Sequence, residues 1–311
     1  MALNETITTN RASPVERAQQ TPAHDGARAR VLSGLPVTER GLVLNGVSTA
    51  VLEGGSGAPI VLLHGPGGYA AHWLRVIPDL ATTHRVIAPD LPGHGASAPC
   101  EGVPDNDALL GWLDDLIECT CSEPPIVVGQ TLGGAIAARF ASEWSGRLRA
   151  LVLVDTLGLS PFQPLPEFGA ALEAYMSAPA AHTHDQLWSQ CAFDLGALRD
   201  HLGDQWESLK AYNLACAWAP GRVAAVAALM AQFGMAAIPP PMLARISVPT
   251  TLIWGREDRA TPLRVAADAS ARFGWELRVI DAAADDPAIE QPQDFVKALR
   301  AIIADRQGSA R

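Results

Sequence analysis

The stretch Val127–Gly134, VVGQTLGG, decides the fold. An apolar run stops at Gly129, a hydroxyl side chain follows at Thr131, and Gly133 and Gly134 lead into the small-residue stretch AIAARFA. Strand, sharp turn and helix in that order make a nucleophile elbow, which lifts one side chain above the end of a sheet. Glycines suit it because strand and helix backbones must approach closely. The elbow normally carries serine. Thr131 keeps the hydroxyl but adds a methyl group, which restricts its rotamers in a crowded, strained turn. The start of a helix favours an oxyanion there, yet a hydroxyl without an activating base is a poor nucleophile.

Outward from the elbow, apolar runs recur between turn residues: PIVLLHG, RVIAPD, PPIVVG, LRALVLVD, VPTTLIWG and ELRVID. Such runs read as strands buried on both faces, as in a parallel sheet. Helical stretches such as DALLGWLDDLIECT separate most of them. Two earlier strands, GLVLNG and VSTAVLEG, are joined at Asn45-Gly46, a hairpin-turn pair. The expectation is an α/β fold: a mostly parallel eight-stranded sheet flanked by helices, with its core in residues 39–156 and 249–311.

Residues 157–248 break the rhythm. They hold no convincing strand but several amphipathic helical pieces, with Trp206, Leu209 and Tyr212 three apart on one face. This reads as a helical cap over the strand ends. Residues 1–38 are polar and lack apolar periodicity, so they read as a flexible tail.

Composition narrows the function classes. The 311 residues are 48% hydrophobic and 18% charged, with a formal net charge of −10. A diffuse acidic surplus disfavours nucleic acid and anionic membrane as partners. The five cysteines are an odd number without zinc-like pairing, which reads as free thiols in a reducing compartment. The N-terminus lacks the apolar core of a signal peptide, and Val223–Ala231, the longest clear apolar run, is far too short to span a membrane. The expected location is the cytoplasm. No phosphate loop, dinucleotide fingerprint or metal cluster is visible, so no cofactor and no metal are expected.

Five stretches together resemble the α/β-hydrolase-fold superfamily with a helical cap: VLLHGPGG, APDLPGHGAS, VGQTLGG, WGREDRATP and IEQPQDFVKAL, in that order over roughly residues 41–305. The resemblance implies three site elements, and this chain departs from each. Thr131 stands in place of the nucleophilic serine. The catalytic histidine falls on Asp285 in DAAADDPAIEQP, or on Asp286 with a one-residue shift, and no histidine follows His201. The acid falls on Asp258. Of the two oxyanion donors, the backbone N–H of Leu132 remains, while the other falls on Pro66, which has none; Gly67 or Gly68 could substitute. Losing one such donor typically costs about 10²–10³ in rate.

Asp258 and Asp285 would then face one another, and one of two close carboxyls should hold its proton into the neutral range. That makes an acid–base pair without histidine, in which Asp285 as base would give activity rising with pH; both being solvated surface groups is the alternative. Further candidates are His64 and Gln130 near the oxyanion loop, the cap histidines His182, His184 and His201 as surrogate bases, and Trp188, Trp206, Tyr212 and Trp218 as lining of an apolar pocket. His94 and Asp155 read as structural.

The resemblance implies an enzyme acting on a small hydrophobic, carbonyl-bearing molecule by acid–base chemistry such as elimination, isomerisation, cyclisation or decarboxylation, a kind of step that relatives of this fold perform in secondary metabolism. A hydrolase using Thr131 and an inactive ligand-binding protein are the rivals. A homodimer is compatible with the sequence.

Overall fold

The computed structural model describes residues 22–102 and 104–308. One sheet holds eight strands: β1 (Thr38–Leu44), β2 (Val47–Gly54), β3 (Pro59–Leu63), β4 (Arg85–Pro89), β5 (Ile126–Gln130), β6 (Ala150–Val154), β7 (Thr250–Gly255) and β8 (Glu276–Ile280). Their order is β1-β2-β4-β3-β5-β6-β7-β8. β2 runs antiparallel to β1 and β4; every other pairing is parallel. Leu44 pairs with Val47, and Asn45 and Gly46 both have positive φ, so the expected tight hairpin turn forms.

β3, β5, β6 and β7 are buried along their whole length. Their alternate residues serve two cores. On one face Val61, Leu63, Val127 and Leu151 pack with α3 (Asn106–Thr120), α4 (Leu132–Trp144) and α11 (Leu263–Phe273). On the other, Ile60, Leu62, Val128 and Val152 pack with Tyr69, Trp73 and α13 (Pro292–Gly308). Burial on both faces explains why these strands read as unbroken apolar runs. The short helices α2 (Ile77–Leu80) and α12 (Pro287–Glu290) complete the core.

Six α-helices stand between β6 and β7: α5 (Pro166–Ser177), α6 (Ala181–Cys191), α7 (Leu195–Leu202), α8 (Asp204–Ala217), α9 (Arg222–Leu229), which runs on into a π-helical turn (Met230–Gly234), and α10 (Pro240–Leu243). α6, α7 and α8 make a core of their own from Trp188, Leu198, Leu202, Trp206 and Leu209, which also takes in Leu74 and Ile289 from below. Among the described residues no single helix is long and apolar enough to cross a membrane.

The tail expected over residues 1–38 is corrected where it can be seen. Residues 1–21 lie outside the described residues, but Pro22–Leu32 form a helix, α1, and β1 already starts at Thr38. α1 buries His24, Ala27, Arg28 and Val31. That is a regular helical stripe, but half of it is His and Arg, so a search for apolar periodicity does not register it.

Candidate active site

The elbow forms as its residues require. Thr131 sits at φ 44°, ψ −107°, a strained region for a β-branched residue, and its N–H donates to the Val154 carbonyl at 2.9 Å. A Cβ on Gly129 would lie 2.6 Å from the Gly133 carbonyl oxygen and from the Gly134 Cα. Only glycine lets the end of β5 and the start of α4 pass at this distance. The Thr131 hydroxyl rests on Gly65, where a Cβ would approach it to 2.3 Å. It is buried and has no hydrogen-bond partner among the described residues.

The oxyanion loop, residues 64–69, is open at Pro66 and Gly67, which are exposed. The N–H of Gly68 is committed to the Gly65 carbonyl at 3.2 Å, which leaves Gly67 as the loop's candidate donor beside Leu132. His64 is fully buried. Its Nδ1 donates to the Gly65 carbonyl at 2.7 Å while its Nε2 accepts from the Leu91 N–H at 3.0 Å. Burial holds it well below the usual histidine range. With both ring nitrogens engaged, His64 shapes the loop and offers nothing to a ligand. Gln130 is likewise a tie rather than a pocket group: its Nε2 donates to the Asp285 carbonyl at 3.0 Å.

Below the elbow lies a cluster of carboxyls. Asp258 accepts from the Ala260 N–H at 2.7 Å and the Thr261 N–H at 2.9 Å, and from the Thr261 hydroxyl. Burial still pushes it up to about 6. Asp155, read from sequence as structural, accepts from the Gly255 N–H at 2.8 Å and is driven well up by burial and by the charge of Asp258. Asp285, where the resemblance implies histidine, is also driven well up, first by burial and then by Asp258, Asp286 and Glu290. Glu290 accepts from the N–H groups of Phe193 at 2.6 Å and Ala284 at 2.8 Å, and burial lifts it to about 7. The donors around Asp258 make it the member that ionises first, while burial and the charge of Asp258 bias Asp285 and Asp155 toward their protonated forms. The solvated-surface alternative does not describe Asp258, which is 5% exposed, or Asp285, whose charged form is penalised by burial.

The cap closes on this cluster through the end of α6. The Cys191 thiol lies against the Asp285 carboxyl and is pushed well up by burial and by Asp285. Beside it, the Asp286 carboxyl meets His72 Nε2 at 2.7 Å, and the His72 ring stacks on Trp188, 5.8 Å between centroids. His72 was missed from sequence: it follows the oxyanion loop without any motif, and only folding brings it to Asp286.

The remaining expected residues scatter. His182 and His201 are exposed on the cap. His184 is buried between Asp185, 3.2 Å from its Nδ1, and Asn213, 3.0 Å from its Nε2, and burial lowers it to about 4. No cap histidine therefore serves Thr131 as a base. His94 is buried, contacts the Pro92 carbonyl, and is lowered to about 4 by burial. Trp206 and Tyr212 are sealed into packing, and Trp218 is 68% exposed on the surface, so these three do not line a pocket at the elbow. Trp188 alone of the four reaches the site, through His72.

A mostly parallel eight-stranded sheet with a strained elbow after β5 and a helical insertion after β6 defines an α/β-hydrolase-fold protein. A family model described as the alpha/beta hydrolase family matches residues 60–298, and the chain belongs to that family. Among curated relatives, the 2-hydroxymuconate semialdehyde hydrolase of Pseudomonas sp. (strain CF600) is 29% identical over 88% of this chain and 97% of its own length. The 2-hydroxy-6-oxo-6-(2'-aminophenyl)hexa-2,4-dienoic acid hydrolase of Metapseudomonas resinovorans is 26% identical over 88% of this chain and 93% of its own. Both are hydrolases. Among solved structures, a meta-cleavage product hydrolase from Pseudomonas fluorescens IP01 superimposes with a TM-score of 0.70 at 24% identity, covering 89% of this chain and all of that one. A membrane phospholipase A, described as a bacterial virulence factor, does so with a TM-score of 0.76 at 22% identity, over 91% of each chain. At these identities the solved structures speak for the fold.

Proposed function

We propose that this α/β-hydrolase-fold protein is an enzyme that moves protons on a small hydrophobic, carbonyl-bearing substrate, with Asp285 as the acid that touches it. The observation that carries the reading is the partly buried Asp285 carboxyl at the position of the family's histidine, biased toward its protonated form by burial and by Asp258, together with a Thr131 hydroxyl that has no hydrogen-bond partner among the described residues. The compounds named for the curated relatives are dienols conjugated to a ketone or aldehyde. Isomerising such a molecule requires delivery of a proton to carbon and loss of one from oxygen, and no nucleophile. Asp285 would deliver the first, water would take the second and, through bulk solvent, reload Asp285. Elimination or decarboxylation uses the same groups. The test is to incubate the protein with a 2-hydroxy-6-oxo-dienoate in heavy water. Enzyme-dependent deuterium at carbon, without cleavage of the chain, is expected. Cleavage into two acids at the rate of deuteration would overturn the reading, and tight binding with neither outcome would make the protein a ligand-binding member of its family.

The second reading, hydrolysis through Thr131, is favoured by one feature: the elbow keeps its nucleophile-presenting backbone. It predicts a covalent adduct. A fluorophosphonate probe is expected to leave Thr131 unlabelled, because among the described residues no base lies within hydrogen-bond reach of its hydroxyl and Pro66 removes a donor from the oxyanion loop. Stoichiometric labelling of Thr131, read by mass spectrometry, would reverse the order of the two readings.

A further inference from the structure

α1 lies outside the stretch that matches the family, and its buried stripe is built around a charge. Arg28, 5% exposed, reaches three separate parts of the fold. Its Nε donates to Glu39 Oε2 in β1 at 2.7 Å. Its Nη1 donates to the Tyr212 hydroxyl in cap helix α8 at 2.7 Å, and lies 2.9 Å from Asp90 Oδ2 in the loop after β4. Both of the last two contacts continue to the same place. Asp90, wholly buried, accepts from the Ala70 N–H at 2.6 Å through its other oxygen. Tyr212 packs edge-on against Tyr69, 4.4 Å between ring centroids. Tyr69 and Ala70 are where the oxyanion loop returns to the core, immediately after Pro66, Gly67 and Gly68.

We infer that Arg28 is a positioning residue: α1 acts as a clasp that holds cap helix α8 and the far end of the oxyanion loop in one register. The physical reason is the isolation of Asp90. Its second oxygen also accepts from the Ala96 N–H at 2.6 Å, so the carboxylate organises two loops from a site without water access, and Arg28 is the cation that balances it. An unbalanced buried carboxylate is costly enough to take a proton or to leave. Either change loosens its hold on Ala70. Tyr212 carries the same restraint to the cap, because its hydroxyl is tied to the same guanidinium nitrogen.

The inference does not depend on which reaction the site performs, so its test uses no activity. Hydrogen exchange of the full chain, read by mass spectrometry, is compared for Arg28→Ala, Tyr212→Phe and the unaltered protein. In Arg28→Ala, amides of residues 64–76 and 204–217 are expected to exchange at least about tenfold faster, with β6 and β7 unchanged. Millimolar guanidinium should restore their protection, while sodium chloride of equal ionic strength should not. A helix that merely packs would show no such rescue. In Tyr212→Phe only residues 204–217 should speed up. If Arg28→Ala fails to fold, the Tyr212→Phe protein decides alone: α8 exchanging as in the unaltered chain overturns the inference. Faster exchange confined to α1, or protection that guanidinium does not restore, overturns it as well.

Discussion

Asp285→Asn is expected to lower turnover at least about a hundredfold, since general acid–base groups contribute roughly 10²–10⁴, while ligand affinity stays within about tenfold, or ~1.4 kcal/mol. The amide has nearly the shape of the protonated acid, which is the form that burial and the charges of Asp258, Asp286 and Glu290 favour. Packing and affinity therefore survive; proton delivery does not. The pH dependence separates this from other losses. A carboxyl whose pKa is raised acts as an acid below that value and stops as pH climbs through it. Activity of the unaltered enzyme should thus be highest on the acidic side and fall as pH climbs through that raised value, the reverse of the rise expected from Asp285 as a base. The residual activity of Asp285→Asn should lack that falling limb. Full turnover in the variant, or an unchanged profile, would sink the proposed mechanism.

Gly255→Ala is expected to destabilise the fold by at least about 4 kcal/mol, at the extreme of single substitutions. Gly255 ends β7 and faces the loop that carries Asp285. A Cβ there would lie 1.9 Å from the Ala284 carbonyl oxygen and 2.7 Å from that of Ala283. Both obstacles are backbone, so no side chain can swing away. The Ala283 carbonyl also accepts from the Glu257 N–H at 2.9 Å, and the Gly255 N–H holds Asp155. Shifting the loop would therefore break contacts on both sides of the carboxyl cluster. Gly169→Ala in α5 is the control: its Cβ would meet nothing within 4 Å, and replacing a mid-helix glycine should stabilise by roughly 0.5–1 kcal/mol. Denaturant melts of the two variants measure the difference, and a Gly255→Ala protein as stable as its parent would refute the argument.

Asp285 and Gly255 illustrate what is legible in the chain and what is not. The sheet, the hairpin at Asn45-Gly46, the elbow at Thr131 and the helical insertion are local patterns: periodicity, turn residues and glycine spacing act over a few neighbours, so each can be read in place. The loss of the histidine is legible too, because no histidine stands after His201. What the Asp285 carboxyl became is not, since its bias toward the protonated form follows from burial and from Asp258 and Glu290, which lie far away or a turn away and act only once desolvated. The same holds for His72, which finds Asp286 across 214 positions, and for His184, which looks like a free cap histidine until Asp185 and Asn213 enclose it. α1 is the clearest case. Its buried face contains His24 and Arg28, and an arginine is almost never buried unless it is paired. Only tertiary structure supplies Asp90, Glu39 and Tyr212 to receive the charge, and so only tertiary structure turns a polar N-terminal segment into part of the core.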